Sequence, residues 1–453
     1  MNKTKIICTL GPASYEKKIL KKLILSGMNI ARFNFSHANY DQSRLLIQNI
    51  KELNKELKTH VAILLDTKGP EIRTHEFEKL TKIKKNSIVR ITSKEIIGND
   101  KIFSVNYKNF FEELKIGDSV FVDDGYLSLK VIDKDEEKKE LITKAENTHS
   151  IKSRRGINVP NVDLKLDFLS KKDIEDIKFA IKENYDFIAA SFVRTSNDIQ
   201  EIKNILKENK NQIKIIAKIE NQLGFDNLDE ILEVADSIMV ARGDLGIEVD
   251  GELVPSYQST MIEKCLKKGK PVIVATQMLE SMQKNPRPTK AEISDVFNAV
   301  REGTTATMLS GESASGKYPV ESVQYMSKIN NQSEKKLNYK YFASLYKAQT
   351  IKEQLLLNAV ILAFNIPAKA IIVDNFENAL NISKFHPSIC VFAIVTNIKE
   401  ANLLSLNFGI IAVLNRKELI NKINFSNIKE KELLIFINNN KIEIKNFNKN
   451  DFI

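Results

Sequence analysis

Eight short apolar runs along the chain each end abruptly in polar or charged residues. They lie at 4–10, 29–33, 61–65, 187–190, 271–275 and 306–309, around Lys218 and before Asp244. Uninterrupted runs of this length are typical of parallel strands that are buried on both faces. Amphipathic helical segments separate most of them, at 41–57, 171–184, 198–208 and 291–301. Eight β/α units with polar chemistry at the carboxyl ends of the strands predict a TIM (β/α)8 barrel.

Two segments do not follow this pattern. From 71 to 158 apolar and polar residues alternate with period two, with turn signals at Gly117-Asp118 and Asp124-Gly125. Beyond 339, apolar runs at 370–373, 391–395, 410–414 and 433–437 alternate with helical stretches. We therefore expect an α/β protein with three parts: a (β/α)8 barrel (1–70 and 159–335), an inserted all-β barrel at the carboxyl end of a strand, where it can act as a lid (71–158), and a C-terminal α/β domain (339–453).

The most informative polar residues follow two neighbouring apolar runs. Lys218 and Glu220 are two residues apart, so in a strand both side chains point to the same face. Asp244 follows the next run, and its carboxylate is expected beside them. An ammonium and two carboxylates predict a site for a divalent metal and a phosphorylated anion. The alternative is a buried ion pair that serves stability alone, which is disfavoured because apolar residues of equal volume usually stabilise a core as well.

Composition narrows the class of protein. The 453 residues show no signal peptide and no apolar run near the roughly 18–20 residues needed to span a membrane. Cys8, Cys265 and Cys390 are scattered in apolar contexts and predict reduced core thiols. We therefore expect a cytoplasmic protein without membrane association. The net charge of +10 comes mainly from lysines spread over the chain, so we expect no nucleic-acid partner.

Seven motifs in this order resemble the pyruvate kinase family. They are TKIICTLGPAS (4–14), NFSH (34–37), LDTKGPEIR (65–73), KIEN (218–221), ARGDLG (241–246), ATQMLESM (275–282) and MLSGESA (308–314). The resemblance covers residues 1 to about 335. It implies a TIM barrel with an inserted β-domain and a C-terminal α/β domain. It also implies transfer of a phosphoryl group from phosphoenolpyruvate to ADP, giving pyruvate and ATP, the last step of glycolysis.

The resemblance implies a substrate site at the strand ends. Glu220 and Asp244 would hold Mg²⁺ or Mn²⁺ through carboxylate oxygens. Lys218 would stabilise the transferring phosphoryl group and the enolate, and Arg32 would grip the phosphoryl group with its planar fork. Thr276 would lie against the pyruvate moiety, with a water relayed through it as the proton source. Backbone N–H groups at Gly243 and Asp244 would meet the substrate carboxylate.

The resemblance also implies a K⁺ site and a nucleotide site. The K⁺ ligands would be Asn34, Ser36, Asp66 and Thr67, although Asn34 and Ser36 are also typical of a simple turn or helix cap. In this family a glutamate at the position of Glu71 accompanies K⁺ dependence, and a lysine there replaces the cation. The nucleotide residues would be Asn34, His37, Arg73 and Arg155.

The C-terminal segment departs from the family pattern. Allosteric members bind a sugar phosphate in a loop rich in hydroxyls and glycine. The corresponding stretch here, 373–379, has neither and contains Glu377. We therefore expect no activation by fructose 1,6-bisphosphate, while the family implies a homotetramer. The alternatives are another phosphoenolpyruvate-handling TIM-barrel enzyme and a non-catalytic binding protein. A P-loop at 311–317 is disfavoured because Tyr318 replaces the required Ser or Thr.

Overall fold

Eight parallel strands close into a barrel in this computed structural model, which describes residues 2–36, 38–162, 164–438 and 441–448. Elements are numbered along the chain, and the barrel strands are β1 (Lys5–Thr9), β2 (Ile30–Asn34), β3 (Ala62–Asp66), β13 (Phe187–Ala190), β14 (Lys214–Ile219), β15 (Ser237–Ala241), β16 (Val272–Ala275) and β17 (Ala306–Leu309). Their order around the wall is β1-β17-β16-β15-β14-β13-β3-β2. The predicted TIM barrel is confirmed.

Helices surround this barrel, and the longer ones bury an apolar stripe against it. They are α1 (Lys17–Ser26), α2 (Tyr40–Leu57), α4 (Lys171–Lys182), α5 (Ser196–Glu208), α6 (Gln222–Asp226), α7 (Leu228–Val234), α8 (Arg242–Glu248), α9 (Val254–Lys267), α10 (Lys290–Arg301), α11 (Gly311–Ala314) and α12 (Pro319–Glu334). In α5, Ile199, Ile202 and Leu206 recur at helical spacing and are buried. Short 3₁₀ turns occupy Pro12–Ser14, Gly251–Leu253 and Glu280–Gln283.

An all-β lid is inserted after the third barrel strand. Its elements are β4 (Ile72–Arg73), β5 (Thr81–Ile83), β6 (Ile88–Thr92), β7 (Ile102–Ser104), α3 (Phe110–Glu113), β8 (Ser119–Val122), β9 (Leu127–Asp135), β10 (Glu140–Ala145), β11 (His149–Ile151) and β12 (Gly156–Asn158). Seven strands form one sheet in the order β4-β12-β8-β9-β10-β6-β7, and β11 pairs with β5. The period-two pattern buries alternate residues, as Leu127, Leu129 and Val131 show.

The C-terminal part is a separate α/β layer. Its elements are α13 (Tyr339–Leu345), α14 (Ile351–Asn365), β18 (Ala370–Val373), α15 (Phe376–Ser383), β19 (Cys390–Ile394), α16 (Ile398–Leu403), a 3₁₀ turn (Leu404–Leu406), β20 (Ile410–Val413), α17 (Arg416–Phe425), β21 (Leu433–Asn438) and β22 (Lys441–Asn446). The sheet order is β20-β19-β18-β21-β22, parallel except for β22. None of the described helices combines the length and apolar character that a membrane crossing needs.

This layer packs against the amino-terminal ends of the barrel strands. Leu406 joins the buried apolar cluster that fills the barrel, together with inward residues such as Ile7 and Met239. Around it, Lys399 pairs with buried Asp186 at 2.9 Å. The C-terminal layer therefore closes one end of the barrel, and the carboxyl ends of the strands are left on the side of the lid.

Candidate active site

Two cations converge on one carboxylate at the carboxyl ends of the barrel strands. Arg32 Nε donates to Asp66 Oδ2 at 2.6 Å, and Lys218 Nζ donates to Asp66 Oδ1 at 3.1 Å. Ser191 Oγ accepts from Lys218 Nζ at 2.6 Å. All four side chains are buried. Burial by itself raises the pKa of Asp66, but Arg32 and Lys218 outweigh it and hold that pKa below its usual value. These hydrogen bonds hold the four side chains in place without a bound ligand.

Glu220 lies beside Lys218 and has one oxygen that is ion-paired but accepts no aligned hydrogen bond. Its Oε2 accepts from the Phe192 N–H at 2.6 Å. Its Oε1 is 2.9 Å from Lys218 Nζ, but without hydrogen-bond alignment, and it has no hydrogen-bond partner in the described part of the chain. Burial raises the pKa of Glu220 to about 7. For Lys218, burial lowers the pKa, but Asp66 and Glu220 outweigh it, so the pKa lies above its ordinary value.

Asp244 supplies the second carboxylate from the first turn of α8. It is half-buried, and its charge raises the pKa of both Lys218 and Glu220, so it lies within their electrostatic reach. Within the described ranges, no three His, Cys, Asp or Glu side chains are arranged to hold a metal ion. Two carboxylates, one with a buried oxygen that accepts no aligned hydrogen bond, fit a hard divalent cation that takes its other oxygens from water or substrate.

Thr276 is held in a strained backbone conformation. Its φ is +66°, and Gln277 follows with φ +53°. A β-branched residue in this left-handed region is a genuine outlier, and such strain clusters at functional sites. Thr276 Oγ1 donates to the Ala275 carbonyl at 2.6 Å and accepts from the Gly243 N–H at 2.7 Å. The Gly243 N–H expected to meet a substrate carboxylate is therefore bonded to Thr276 in this structure.

Arg242 fixes the Thr276 turn by donating to the backbone carbonyls of Thr276 and Gln277. Its guanidinium donates to the Thr276 carbonyl at 2.8 Å and to Asp295 Oδ1 at 2.7 Å. Arg242 is buried, so its charge is neutralised by Asp295 inside the protein. This arginine connects α8, which carries Asp244, to the loop after β16.

The four residues expected to bind K⁺ lie together where β2 and β3 end. Asn34 is directly opposite Asp66 in the parallel register, and Thr67 follows Asp66. Asn34 Oδ1 accepts from the Ser36 N–H at 3.1 Å, which is the turn that the alternative interpretation predicts. A carbonyl oxygen has two lone pairs, so this turn leaves Asn34 able to contact a cation as well.

Two of the four residues expected to bind nucleotide, Arg73 and Arg155, lie on the lid, whereas Asn34 ends the barrel strand β2. Arg73 and Gly156 are opposite each other in the β4–β12 pair, which places Arg155 next to Arg73. Arg73 makes a two-pronged contact with Glu71, at 2.8 Å from Nε and 2.7 Å from the terminal nitrogen. Arg155 is 3.5 Å from Asp123. Both arginines thus face carboxylates in this conformation. His37 lies outside the described residues.

A cavity of about 350 Å³ separates the lid from the barrel top. Its walls come from both parts and include Glu71, Asp124, Asn158, Asp244 and Glu248. The predicted metal ligand Asp244 therefore faces an open space large enough for a small ligand.

Sequence reasoning did not single out Ser191, Phe192 or Arg242. Ser191 and Phe192 follow a predicted barrel strand, and Arg242 precedes Gly243 in the ARGDLG motif. Position at a strand end was the available signal. Their contacts with Lys218, Glu220 and Thr276 depend on which strands are neighbours in the closed barrel.

Comparison with known proteins identifies the family to which a chain with this site belongs. A family model described as the pyruvate kinase barrel domain matches residues 1–323. The chain belongs to the pyruvate kinase family. It is 45% identical over 419 residues to a pyruvate kinase of Bacillus licheniformis, covering 91% of this chain and 72% of that protein. It is 44% identical over 424 residues to a pyruvate kinase of Staphylococcus aureus strain MRSA252, covering 92% and 72%.

A solved structure supports the same family assignment. The chain is similar to a crystal structure of a pyruvate kinase from Cryptosporidium parvum, with a TM-score of 0.93, 36% sequence identity, and coverage of 98% of this chain and 96% of that one. Membership in the pyruvate kinase family makes the chain a phosphotransferase. It also favours the pyruvate kinase interpretation over another barrel enzyme or a non-catalytic binding protein.

Proposed function

We propose that the chain transfers the phosphoryl group of phosphoenolpyruvate to ADP through the side chains at the carboxyl ends of β2, β3, β14 and β15. The bond between phosphorus and the enol oxygen breaks, a bond from phosphorus to the terminal oxygen of ADP forms, and the enolate takes up a proton to become pyruvate. The observation that carries this proposal is the convergence of Arg32 and Lys218 on buried Asp66.

Lys218 and Arg32 supply fixed positive charge where negative charge develops. Phosphoryl transfer is catalysed mainly by positioning and electrostatic stabilisation. Asp66 and Thr9 use two of the five N–H donors of Arg32, at 2.6 and 2.7 Å, which leaves donors for phosphoryl oxygens. Because Asp66 and Ser191 already orient the Lys218 ammonium, little reorganisation is needed during the reaction.

Glu220 and Asp244 are the proposed ligands of Mg²⁺ or Mn²⁺. The buried Oε1 of Glu220, which accepts no aligned hydrogen bond among the described residues, supports this assignment. When bound there, the ion supplies Lewis-acid stabilisation of the charged oxygens. The two carboxylates also repel each other without it, which is one reason why the Glu220 pKa is raised.

Thr276 is proposed to hold the water that protonates the enolate. Its hydroxyl is oriented by Gly243 and Ala275, and its strained backbone is fixed by Arg242.

The nucleotide is proposed to bind to Arg73 and Arg155, together with Asn34 and His37. Both arginines then exchange Glu71 and Asp123 for phosphate oxygens.

The remaining proposals concern conditions and assembly. Asn34, Ser36, Asp66 and Thr67 form a K⁺ site, supported by their grouping where β2 and β3 end. We place the enzyme in the cytoplasm. We also propose that it is a homotetramer, and sedimentation of the purified protein tests this oligomeric state directly. The fully buried thiols of Cys8 and Cys265, whose pKa values are raised by burial, suit a reducing compartment.

A lactate-dehydrogenase-coupled assay tests the activity and the role of Lys218 together. We expect Lys218→Met to lower turnover of phosphoenolpyruvate and ADP by roughly 10²–10³, as for loss of one charge contact in a transition state. Lys214→Met is the matched control because Lys214 lies at the opposite end of the same strand and pairs with Asp236. No turnover by the folded, metal-loaded wild type would overturn the proposed activity. Equal losses of turnover in both variants would contradict the proposed catalytic role of Lys218.

A further inference from the structure

A short hydrogen bond joins the lid to the top of the barrel. Asn158, the last residue of β12, donates from Nδ2 to Glu248 Oε1 at 2.6 Å. Both side chains are half-buried, and both line the cavity between lid and barrel. The contact therefore sits at the edge of the space that the substrates must enter.

Glu248 ends the same short helix whose first turn carries the predicted metal ligand Asp244. The helix α8 spans Arg242–Glu248, so its two ends are only about 10 Å apart. At its first turn, Gly243 is bonded to Thr276, and at its last turn Glu248 is bonded to the lid. A seven-residue helix transmits displacement of one end to the other, so the position of the lid bears on Asp244.

A second observation places the lid and Asp244 in one electrostatic environment. Burial raises the pKa of Asp124 on the lid, and the nearby Asp244 carboxylate adds to that rise. Burial also raises the pKa of Glu248, and Asp244 again contributes, while the hydrogen bond from Asn158 opposes it. A Cβ atom at Gly125, next to Asp124, would come within 3.8 Å of Ile247 of the same helix.

We infer that Glu248 is a positioning residue that, by holding Asn158, fixes the lid against α8 and sets the position of the Asp244 carboxylate. This inference rests on the proposed function, because Asp244 is a metal ligand only there. Glu248 touches neither substrate nor reacting atoms. Its effect is exerted through the lid and through the helix that both residues share.

An exchange of donor and acceptor tests this inference. Asn158→Leu keeps the charge and approximate volume but removes the donor. In N158D/E248Q the glutamine amide donates to the new carboxylate, which restores the bond with donor and acceptor reversed and with the net charge of the wild type. N158D/E252Q has that same net charge but no complementary partner, because Glu252 is exposed and lies four residues further along.

The first readout is Mn²⁺ binding by electron paramagnetic resonance without substrates, and the second is kcat and KM for ADP. We expect Asn158→Leu to raise the Mn²⁺ dissociation constant roughly tenfold, the lower end of the loss found when a group that orients a metal ligand from outside the coordination shell is removed. N158D/E248Q should return close to the wild-type value, and N158D/E252Q should remain impaired.

Each outcome decides between the two proposals. Wild-type Mn²⁺ affinity in Asn158→Leu, or an exchange variant no better than N158D/E252Q, overturns the role of Glu248 and leaves the phosphotransfer proposal standing. A wild type that binds Mn²⁺ without turnover overturns the proposed activity, while the Mn²⁺ comparison still tests Glu248. If Asn158→Leu does not fold, the two double variants, which keep polar side chains of the same shape, decide whether Glu248 has this role.

Discussion

Asp66 is the residue on which the two proposed catalytic cations depend. It accepts from Arg32 and Lys218, and the Ser191 hydroxyl lies 3.2 Å from it. A buried ion pair is costly to break because the remaining charge has no solvent. Ser191 completes the array by accepting the third contact of the Lys218 ammonium.

Ser191→Ala is expected to lower kcat roughly tenfold or more, because a hydrogen bond to a charged group is removed and the ammonium gains freedom. The coupled assay measures kcat and the KM for phosphoenolpyruvate. Ser196→Ala, at the exposed start of α5, is the control, since its backbone rather than its hydroxyl makes the contact with Glu230. An unchanged kcat in Ser191→Ala would show that Asp66 and Glu220 alone position Lys218.

The site was predictable only where chemistry follows directly from position in a strand. Lys218 and Glu220 share a face because strands alternate, and Asp244 follows the next strand, so the sequence was sufficient to single them out. Ser191 required the barrel order, in which β13 lies between β3 and β14. The engagement of Arg73 by Glu71 was not predictable either, because two-pronged pairing depends on rotamers and not on spacing.

At the scale of elements, the register of β2 against β3 creates the oxygen-rich corner. Asn34 pairs with Asp66, and the Asp66 carbonyl accepts from the Phe35 N–H at 2.9 Å. Because strand ends in a barrel are staggered by fixed pairing, these oxygens stay grouped without a dedicated loop. Glu71 follows the same strand end and faces Arg73 across the first turn of the lid.

K⁺ is expected to activate the enzyme strongly, and Na⁺ or choline is expected to substitute poorly. The physical reason is that oxygen ligands from Asn34, Ser36, Asp66 and Thr67 supply no positive charge of their own. In Glu71→Lys a tethered ammonium should make activity nearly independent of K⁺. The measurement is turnover at constant ionic strength in K⁺, Na⁺ and choline salts. Comparable wild-type rates in all three salts would contradict the proposed K⁺ site.

Some elements needed tertiary contacts to be recognised. The strand β22 has a polar, largely exposed sequence, KIEIKN, and it exists because β21 offers its edge for antiparallel pairing. The lid strand β12 has only three residues and is held between β4 and β8. Periodicity cannot detect strands this short, whereas the long helices and apolar barrel strands were predicted closely.

For the whole molecule, the C-terminal layer is the part that departs from the family pattern. After β18, Asp374 accepts from the side-chain amides of Asn375 and Asn378 at 2.8 and 3.0 Å. Glu377 lies in the first turn of α15 and pairs with Lys352 at 2.8 Å. Two carboxylates after β18 oppose binding of a phosphate.

We propose domain boundaries at 1–70 with 159–335, 71–158, and 339–453. Limited proteolysis tests these boundaries.

Fructose 1,6-bisphosphate is therefore expected to leave the phosphoenolpyruvate saturation curve unchanged. The reason is repulsion between its phosphates and the carboxylates of Asp374 and Glu377. The curve is measured with and without the effector, and an equal ionic strength of sulfate serves as the control. A leftward shift with the effector alone would contradict the expectation.

Stability of the whole molecule is expected to fall in mild acid because of His386. Its ring is buried against Phe408 at 4.3 Å between centroids, its Nε2 lies 3.0 Å from the Gly303 carbonyl, and its Nδ1 has no partner among the described residues. Burial lowers the pKa of His386 to about 4, from an ordinary 6.5. Between these values the unfolded chain binds more protons, so stability decreases as the pH falls.

The expected loss from this histidine reaches about 3 kcal/mol when the pH drops from 7 to 4. Urea unfolding at several pH values measures the free energy of unfolding. His386→Phe should keep the ring stack and flatten the dependence between pH 6.5 and 4, although its stability at pH 7 is lower because the Gly303 contact is lost. An equally steep dependence in the variant would assign the acid sensitivity to other groups.

Leu406 also has a consequence for how the molecule is made. The cluster that fills the barrel includes Leu406, with Leu403 packed against it, and both residues come from beyond the last barrel helix, which ends at Glu334. During synthesis the ribosome completes all eight barrel strands well before residue 406 is added. At usual translation rates the nascent barrel waits several seconds with an apolar opening at its base. Chaperone demand during translation should therefore be highest in that interval, and messages truncated between codons 335 and 406 should yield aggregating chains.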